Sequence, residues 1–199
     1  MNLQFRKLLT AGLLALVAVS TPALSQDTGW YAGLGIGQSN FKGDFSCTDV
    51  SGPGISCDDT DTAWKIFGGY QFNANFGAEL GYTDLGEVSA TFAGFGSATF
   101  KSKGIELLGV GTYPINQQFS VFGKLGFFRW DLDFNDGTGL VGSASESGTD
   151  LTYGFGVKYN FTKNVALRVE WQRYTDVGET NTTGMADVDV LGVSVIIKF

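Results

Sequence analysis

The stretch that most constrains this chain is its last nine residues, Leu191-Gly192-Val193-Ser194-Val195-Ile196-Ile197-Lys198-Phe199. In an extended chain, successive side chains point to opposite faces. Leu191, Val193, Val195, Ile197 and Phe199 therefore share one face. Gly192, Ser194 and Lys198 share the other, with Ile196 the apolar exception. Alternation this strict describes a strand with one face in an apolar medium.

The amino end sets the destination. Arg6 and Lys7 precede an apolar run over residues 8–19. That run is too short to cross a bilayer as a helix and has the length of a secretory h-region. Pro22 follows, then Ala23-Leu24-Ser25, which puts small residues where a signal peptidase reads them. The expected cut falls between Ser25 and Gln26, giving a signal peptide over 1–25 and one domain over 26–199. No second apolar run is long enough for a spanning helix. A mean hydropathy near zero still fits a membrane barrel, because its strands alternate lipid-facing and lumen-facing residues.

The alternation recurs along the chain. Trp30, Ala32, Leu34 and Ile36 oppose Tyr31, Gly33, Gly35 and Gly37. Further strands are expected over 63–72, 76–85, 103–113, 119–132, 150–161, 165–175 and 187–199. Asn73-Ala74-Asn75, Pro114-Ile115-Asn116-Gln117-Gln118 and Thr162-Lys163-Asn164 read as tight turns. Residues 40–62, 133–148 and 176–186 read as long polar loops, while the Gly-, Ala- and Ser-rich stretch 86–102 fits either loop or strand extension. Connections that alternate long and short belong to a barrel with surface loops at one end and periplasmic turns at the other. The expected fold is all-β, an eight-stranded antiparallel up-and-down transmembrane β-barrel.

The aromatic-aliphatic face must then meet lipid. Turned inside out, as in a soluble lipocalin-like barrel, those large side chains would overfill an eight-stranded interior. The inward set includes Lys65, Glu79, Glu106, Lys124, Lys158, Arg168 and Glu170. Isolated charges in a narrow interior are costly, so these should pair. They are expected to plug the lumen rather than to conduct ions, because eight strands leave no open aqueous channel. Tyr70, Phe72, Phe76, Tyr113, Phe119, Tyr159, Phe161 and Phe199 flank the tight turns as a periplasmic aromatic belt. Phe127, Phe128, Trp130 and Tyr174 are expected to form the outer belt. Arg129 and Arg173 lie near the outer rim, within reach of lipopolysaccharide.

Cys47 and Cys57 would meet an oxidising periplasm, so a disulfide is expected. Their spacing and the absence of histidine from the chain give no support to a metal or redox pair. The run Asp58-Asp59-Thr60-Asp61 reads as a solvated acidic loop in preference to a weak calcium site. A net charge of −7 without a basic patch argues against a nucleic-acid partner. Without histidine, a nucleophile elbow or paired carboxylates on a rigid element, no enzyme activity and no cofactor are expected.

The stretches Lys65-Ile66-Phe67-Gly68-Gly69-Tyr70-Gln71-Phe72, GAELGYTDLG over residues 77–86, and ALRVEWQRY over residues 166–174 resemble the transmembrane barrel of the OmpA family. The resemblance covers essentially all of 26–199. It implies an outer-membrane barrel with internal charge pairs, surrounded by outer-membrane lipids and lipopolysaccharide. Periplasmic chaperones and the barrel assembly machinery are the implied assembly partners, with the aromatic terminal residue Phe199 as the assembly signal. OmpA itself continues into a peptidoglycan-binding domain, and this sequence stops at the barrel, so peptidoglycan tethering is not expected. Small barrels resembling OmpX stop there too. The expected function is a monomeric structural role in envelope integrity. The alternative is surface recognition of a host or phage molecule through the extracellular loops, with the ligand unknown.

Overall fold

The computed structural model of the protein describes residues 28–43, 47, 55–92, 96–136, 144–179 and 184–199. The expected signal peptide and its cleavage point lie outside them. The described residues form β1 (Gly29–Gly43), β2 (Ile55–Asp58), β3 (Thr60–Gln71), β4 (Phe76–Phe92), β5 (Gly96–Pro114), β6 (Phe119–Asp136), β7 (Ala144–Asn160), β8 (Val165–Glu179) and β9 (Gly184–Lys198). Apart from β2, each strand pairs antiparallel with its neighbours in chain order, and β1 pairs with β9 from Tyr31↔Lys198 to Gly43↔Ala186. The sheet thus closes into an eight-stranded up-and-down β-barrel.

The three tight turns share one device. Asn73 Oδ1 accepts from the backbone N–H groups of Asn75 and Phe76, both at 2.9 Å. Asn116 Oδ1 accepts from Gln118 and Phe119 at 2.9 and 2.8 Å, and Thr162 Oγ1 from Asn164 and Val165 at 3.2 and 3.0 Å. A short polar side chain bonding to backbone two and three residues on makes a compact reversal with no long loop.

Period-two alternation decides the faces. Leu34, Ile66, Leu80, Leu107, Leu125, Phe155, Val169 and Leu191 all point outwards and are exposed. On a soluble protein such a belt would be a liability; around a barrel it is the lipid-facing band. Near the turns, aromatic rings stack in pairs: Trp30–Tyr70 at 4.9 Å, Phe119–Tyr159 at 4.7 Å and Tyr159–Phe161 at 4.8 Å between centroids.

The strands run further outwards than the sequence pattern implies. β1 continues to Gly43, β6 to Asp136 and β8 to Glu179, while β7 begins at Ala144 and β9 at Gly184. Within stretch 86–102, residues 86–92 extend β4 and residues 96–102 belong to β5, paired from Gly86↔Ser102 to Phe92↔Gly96. Ladder hydrogen bonds do not need lipid, so pairing persists where the apolar alternation has faded. Within expected loop 40–62, β2 adds to the outer end of β4, and Cys57 on β2 is disulfide-bonded to Cys47.

The expected outer belt needs correction. Phe127 faces lipid, but Phe128, Trp130 and Tyr174 point inwards and are fully buried. They pack with Phe41, Leu85, Val88, Leu132, Val177, Ala186 and Val188 in an apolar cluster at the outer end of the lumen. Two β-bulges build part of it. On β4 the register shifts between Asp84 and Gly86, which inserts Leu85 as an extra inward residue and brings Val88 round to the inside. On β8 it shifts between Tyr174 and Val177, through Asp176 at φ 53°, and Val177 turns inwards. A bulge adds one residue to one strand, and every later side chain changes face.

Leu85→Ala should lower stability by about 2–5 kcal/mol, because it opens a cavity in that cluster. Urea unfolding in lipid vesicles measures this, with lipid-facing Leu80→Ile as the comparison. A loss for Leu85→Ala no larger than for Leu80→Ile would place Leu85 outside the barrel.

Candidate functional site

Below the apolar cluster the lumen is crossed by charge. Glu79 on β4 accepts from the two terminal guanidinium nitrogens of Arg168 on β8, at 2.7 and 3.2 Å. The hydroxyl of Tyr31 on β1 donates to the same carboxylate at 2.8 Å. Glu170, one pleat from Arg168, is ion-paired with Lys65 of β3 and lies 2.8 Å from the Lys124 Nζ of β6. The Lys124 contact is one of charge, its angles falling outside hydrogen bonding. Lys124 also reaches Glu79 at 3.8 Å.

Glu106 of β5 joins by a different route. It accepts from Gln172 Nε2 at 2.8 Å and from the Tyr174 hydroxyl at 3.0 Å. Gln172 in turn accepts from Lys65 at 3.3 Å and donates to Thr152 of β7 at 3.0 Å. Three cations thus face three carboxylates, and the network draws side chains from every barrel strand except β9. Paired and bridged in this way, buried ions avoid the cost of standing alone.

Glycine and aromatic residues shape the space. A Cβ at Gly69 would overlap the ring of Tyr31, and one at Gly33 the ring of Phe67. A Cβ at Gly35 would meet Ser194 Oγ and the Lys65 stem. Phe67 and Phe122 flank the Arg168 guanidinium with ring centroids at 5.1 and 4.6 Å, a cation–π sandwich that desolvates it.

All seven charged residues expected inside the barrel face the lumen, but they do not form one set. Lys65, Glu79, Lys124, Arg168 and Glu170 share ion pairs. Glu106 is held by Gln172 and Tyr174 rather than by a cation in direct contact. Lys158 stands apart, towards the periplasmic turns. Sequence reasoning missed Tyr31, Gln172 and Thr152 as partners. Gln172 had a readable signal, since it continues the inward series Arg168, Glu170 at two-residue spacing.

At the outer rim, Arg173 is engaged by its own chain. Its Nε and Nη2 donate to the two Asp189 oxygens at 2.6 and 2.8 Å, and Lys42 adds a third contact to Asp189 at 2.7 Å. The carboxylates of the acidic run accept from their own neighbours. Asp58 accepts from Thr60, Asp59 from the Cys47 backbone at 3.0 Å, and Asp61 from the Thr62 and Glu87 backbones at 2.7 and 2.8 Å.

A family model described as the OmpA-like transmembrane domain matches residues 25–199. The chain belongs to that family. Outer membrane protein A of Yersinia pseudotuberculosis is 31% identical over 200 residues, covering 98% of this chain and 56% of the relative. Outer membrane protein A of Escherichia fergusonii is 29% identical over 190 residues, covering 94% and 53%. The chain spans about half the length of the curated relatives it matches. Among solved structures it is similar to Neisserial surface protein A, with a TM-score of 0.64 and 16% identity over 86% of this chain and 97% of that one. It is also similar to Ail of Yersinia pestis, with a TM-score of 0.56 and 20% identity over 86% and 99%. At these identities the likeness is one of fold. As an OmpA-like barrel the protein resides in the outer membrane, and the family is non-enzymatic.

In this OmpA-like barrel, Arg168→Ala strands Glu79 in the interior and should cost about 3–5 kcal/mol. Val169→Leu, on the lipid face of the same strand, should cost under about 1.5 kcal/mol. Urea unfolding in lipid vesicles ranks the two, and the reverse ranking would contradict the faces assigned to β8.

Proposed function

We propose that this chain is a structural barrel of the outer membrane whose lumen is closed to ions. The observation that carries the reading is the neutral network of three cations and three carboxylates, bonded across the interior from strand to strand. An ion entering from the periplasm would have to displace Arg168 from Glu79. It would then meet the apolar cluster around Phe128 and Trp130, where nothing replaces its hydration shell. The barrel acts as a monomeric staple of the envelope, held in lipid by its apolar band and aromatic belts. Planar-bilayer recording should detect no steady conductance from the purified protein, and cells lacking it should grow poorly in detergent. A persistent open channel, or unchanged detergent tolerance, argues against this function.

A second reading, recognition through the outer loops, draws support from the outer architecture. The β4–β5 extension, β2 and the Cys47–Cys57 disulfide hold an outer surface in place beyond the lipid. Ail of Yersinia pestis has been solved in complex with the heparin analogue sucrose octasulfate. A sulfated polyanion suits this chain poorly. Residues 43–62 carry Asp44, Asp49, Asp58, Asp59 and Asp61 with no lysine or arginine. A loop ligand would be neutral or cationic, and a cell-adhesion assay on the deletion strain tests for it.

Lipopolysaccharide, periplasmic chaperones and the barrel assembly machinery are the proposed partners, with residues 1–25 removed at export. Exposed Arg129 is the better candidate for a lipopolysaccharide contact, since Arg173 is occupied. Phe199 is the proposed assembly signal: its ring is exposed, and its N–H donates to Trp30 O at 2.9 Å beside the closing seam. Deleting Phe199 should lower the amount inserted in cells while refolding in detergent survives. Equal cellular levels of the two forms would contradict that role.

A further inference from the structure

The periplasmic mouth of the barrel holds a cavity of about 680 Å³, open between the tight turns. Among the described residues the charged side chains that line it are all basic, Lys158, Lys163, Lys198 and Arg168, and the terminal residue Phe199 also lies on its wall. Tyr31 and Phe122 form part of its floor. The volume lies in the range of small-molecule pockets, which typically combine an apolar lining with a few convergent polar groups.

Lys158 is the residue the interior network leaves out. In the β7–β8 ladder it sits directly opposite Arg168, and both point inwards. Like charges directly opposite each other across a sheet repel. Arg168 is compensated by Glu79 and Glu170. Lys158 has no hydrogen bond or ion pair among the described residues. Lys198 and Arg168 repel its ammonium, and Glu79, which attracts it, is already held by Arg168 and Tyr31. Lys198 Nζ donates to Asn160 Oδ1 at 3.2 Å on the same wall.

We propose that this mouth is an anion-binding site for a phosphate-bearing group, with Lys158 as its central contact. Lysines present compact, strongly hydrated charges suited to phosphate, and several around one cavity favour a dianion. The phosphate could be supplied by a soluble monoester of the periplasm or by a phospholipid headgroup at the barrel rim. Because the mouth opens to the periplasm, the proposal does not depend on whether the lumen above it conducts.

The test uses the refolded protein in nanodiscs and the acetylation rate of each lysine, read by mass spectrometry. In zwitterionic nanodiscs, added glycerol 3-phosphate should protect Lys158 and Lys198 saturably, while glycerol or chloride at equal ionic strength should not. Without the ester, nanodiscs containing phosphatidylglycerol should protect the same lysines if the headgroup is the source. Lys158→Gln should weaken glycerol 3-phosphate binding, followed at Lys198 and by calorimetry, about tenfold, as expected for losing one charge-assisted hydrogen bond. Lys158→Arg should largely retain it, and Lys103→Gln at the outer end should leave it unchanged. Heat-modifiable gel mobility verifies that each variant is folded. Absence of protection in both arms, protection reproduced by chloride, or unaltered affinity in folded Lys158→Gln would overturn the proposal.

Discussion

Inside a bilayer a backbone N–H or C=O has no water to turn to, and leaving one unpaired costs several kcal/mol. The β1–β9 ladder removes that cost for the whole sheet, because it joins the two strands that would otherwise be edges. Closure has further consequences. It fixes an inside and an outside for every residue and confines the interior to what eight strands enclose. It also requires small residues wherever a large side chain crosses. Gly33 and Gly69 are such places, since Phe67 and Tyr31 occupy the volume a Cβ would need.

Within that narrow interior two kinds of packing are layered. Towards the periplasm the filling is ionic. Burying six charges carries a desolvation cost that good geometry only offsets, so the network is weak evidence for net stability. Its structural effect is register: Arg168 can satisfy Glu79 only when β8 and β4 stand at these heights, with β1 supplying Tyr31. Towards the outside the filling is apolar and aromatic. There Phe128 and Tyr174 stack with centroids 4.7 Å apart, and Tyr174 spends its hydroxyl on Glu106. Tyr174 thus couples the two layers, its ring in one and its polar tip in the other.

The outer rim follows a third logic. Strands continue past the lipid because cross-strand bonding is satisfied as well in water as in hydrocarbon. Arg173, Asp189 and Lys42 form a charge cluster where the apolar band ends, and Arg173 also lies over Trp171 with 5.5 Å to the ring centroid. These groups are partly in solvent, so each pair contributes little to stability.

Much of this was legible in the chain. The alternation of Leu191 to Phe199, the turn residues Asn73, Asn116 and Thr162, and the inward row of charges follow from period two and local turn chemistry. Both depend on residues close in sequence. What only the tertiary structure decided depends on residues far apart. Phe128, Trp130 and Tyr174 have the composition of a membrane belt, yet they continue the inward series of Lys124 and of Arg168 and Glu170 at two-residue spacing, so their face was readable from period two and only their packing partners needed the fold. Val88 and Val177 face inwards because a bulge shifts each strand by one residue, and one extra residue leaves almost no trace in hydropathy. Which acid meets which base was equally closed to sequence, since Glu79 and Arg168 are 89 positions apart. Periodicity sets the face of a side chain; its partner is set by the register of strands that become neighbours only when the sheet closes.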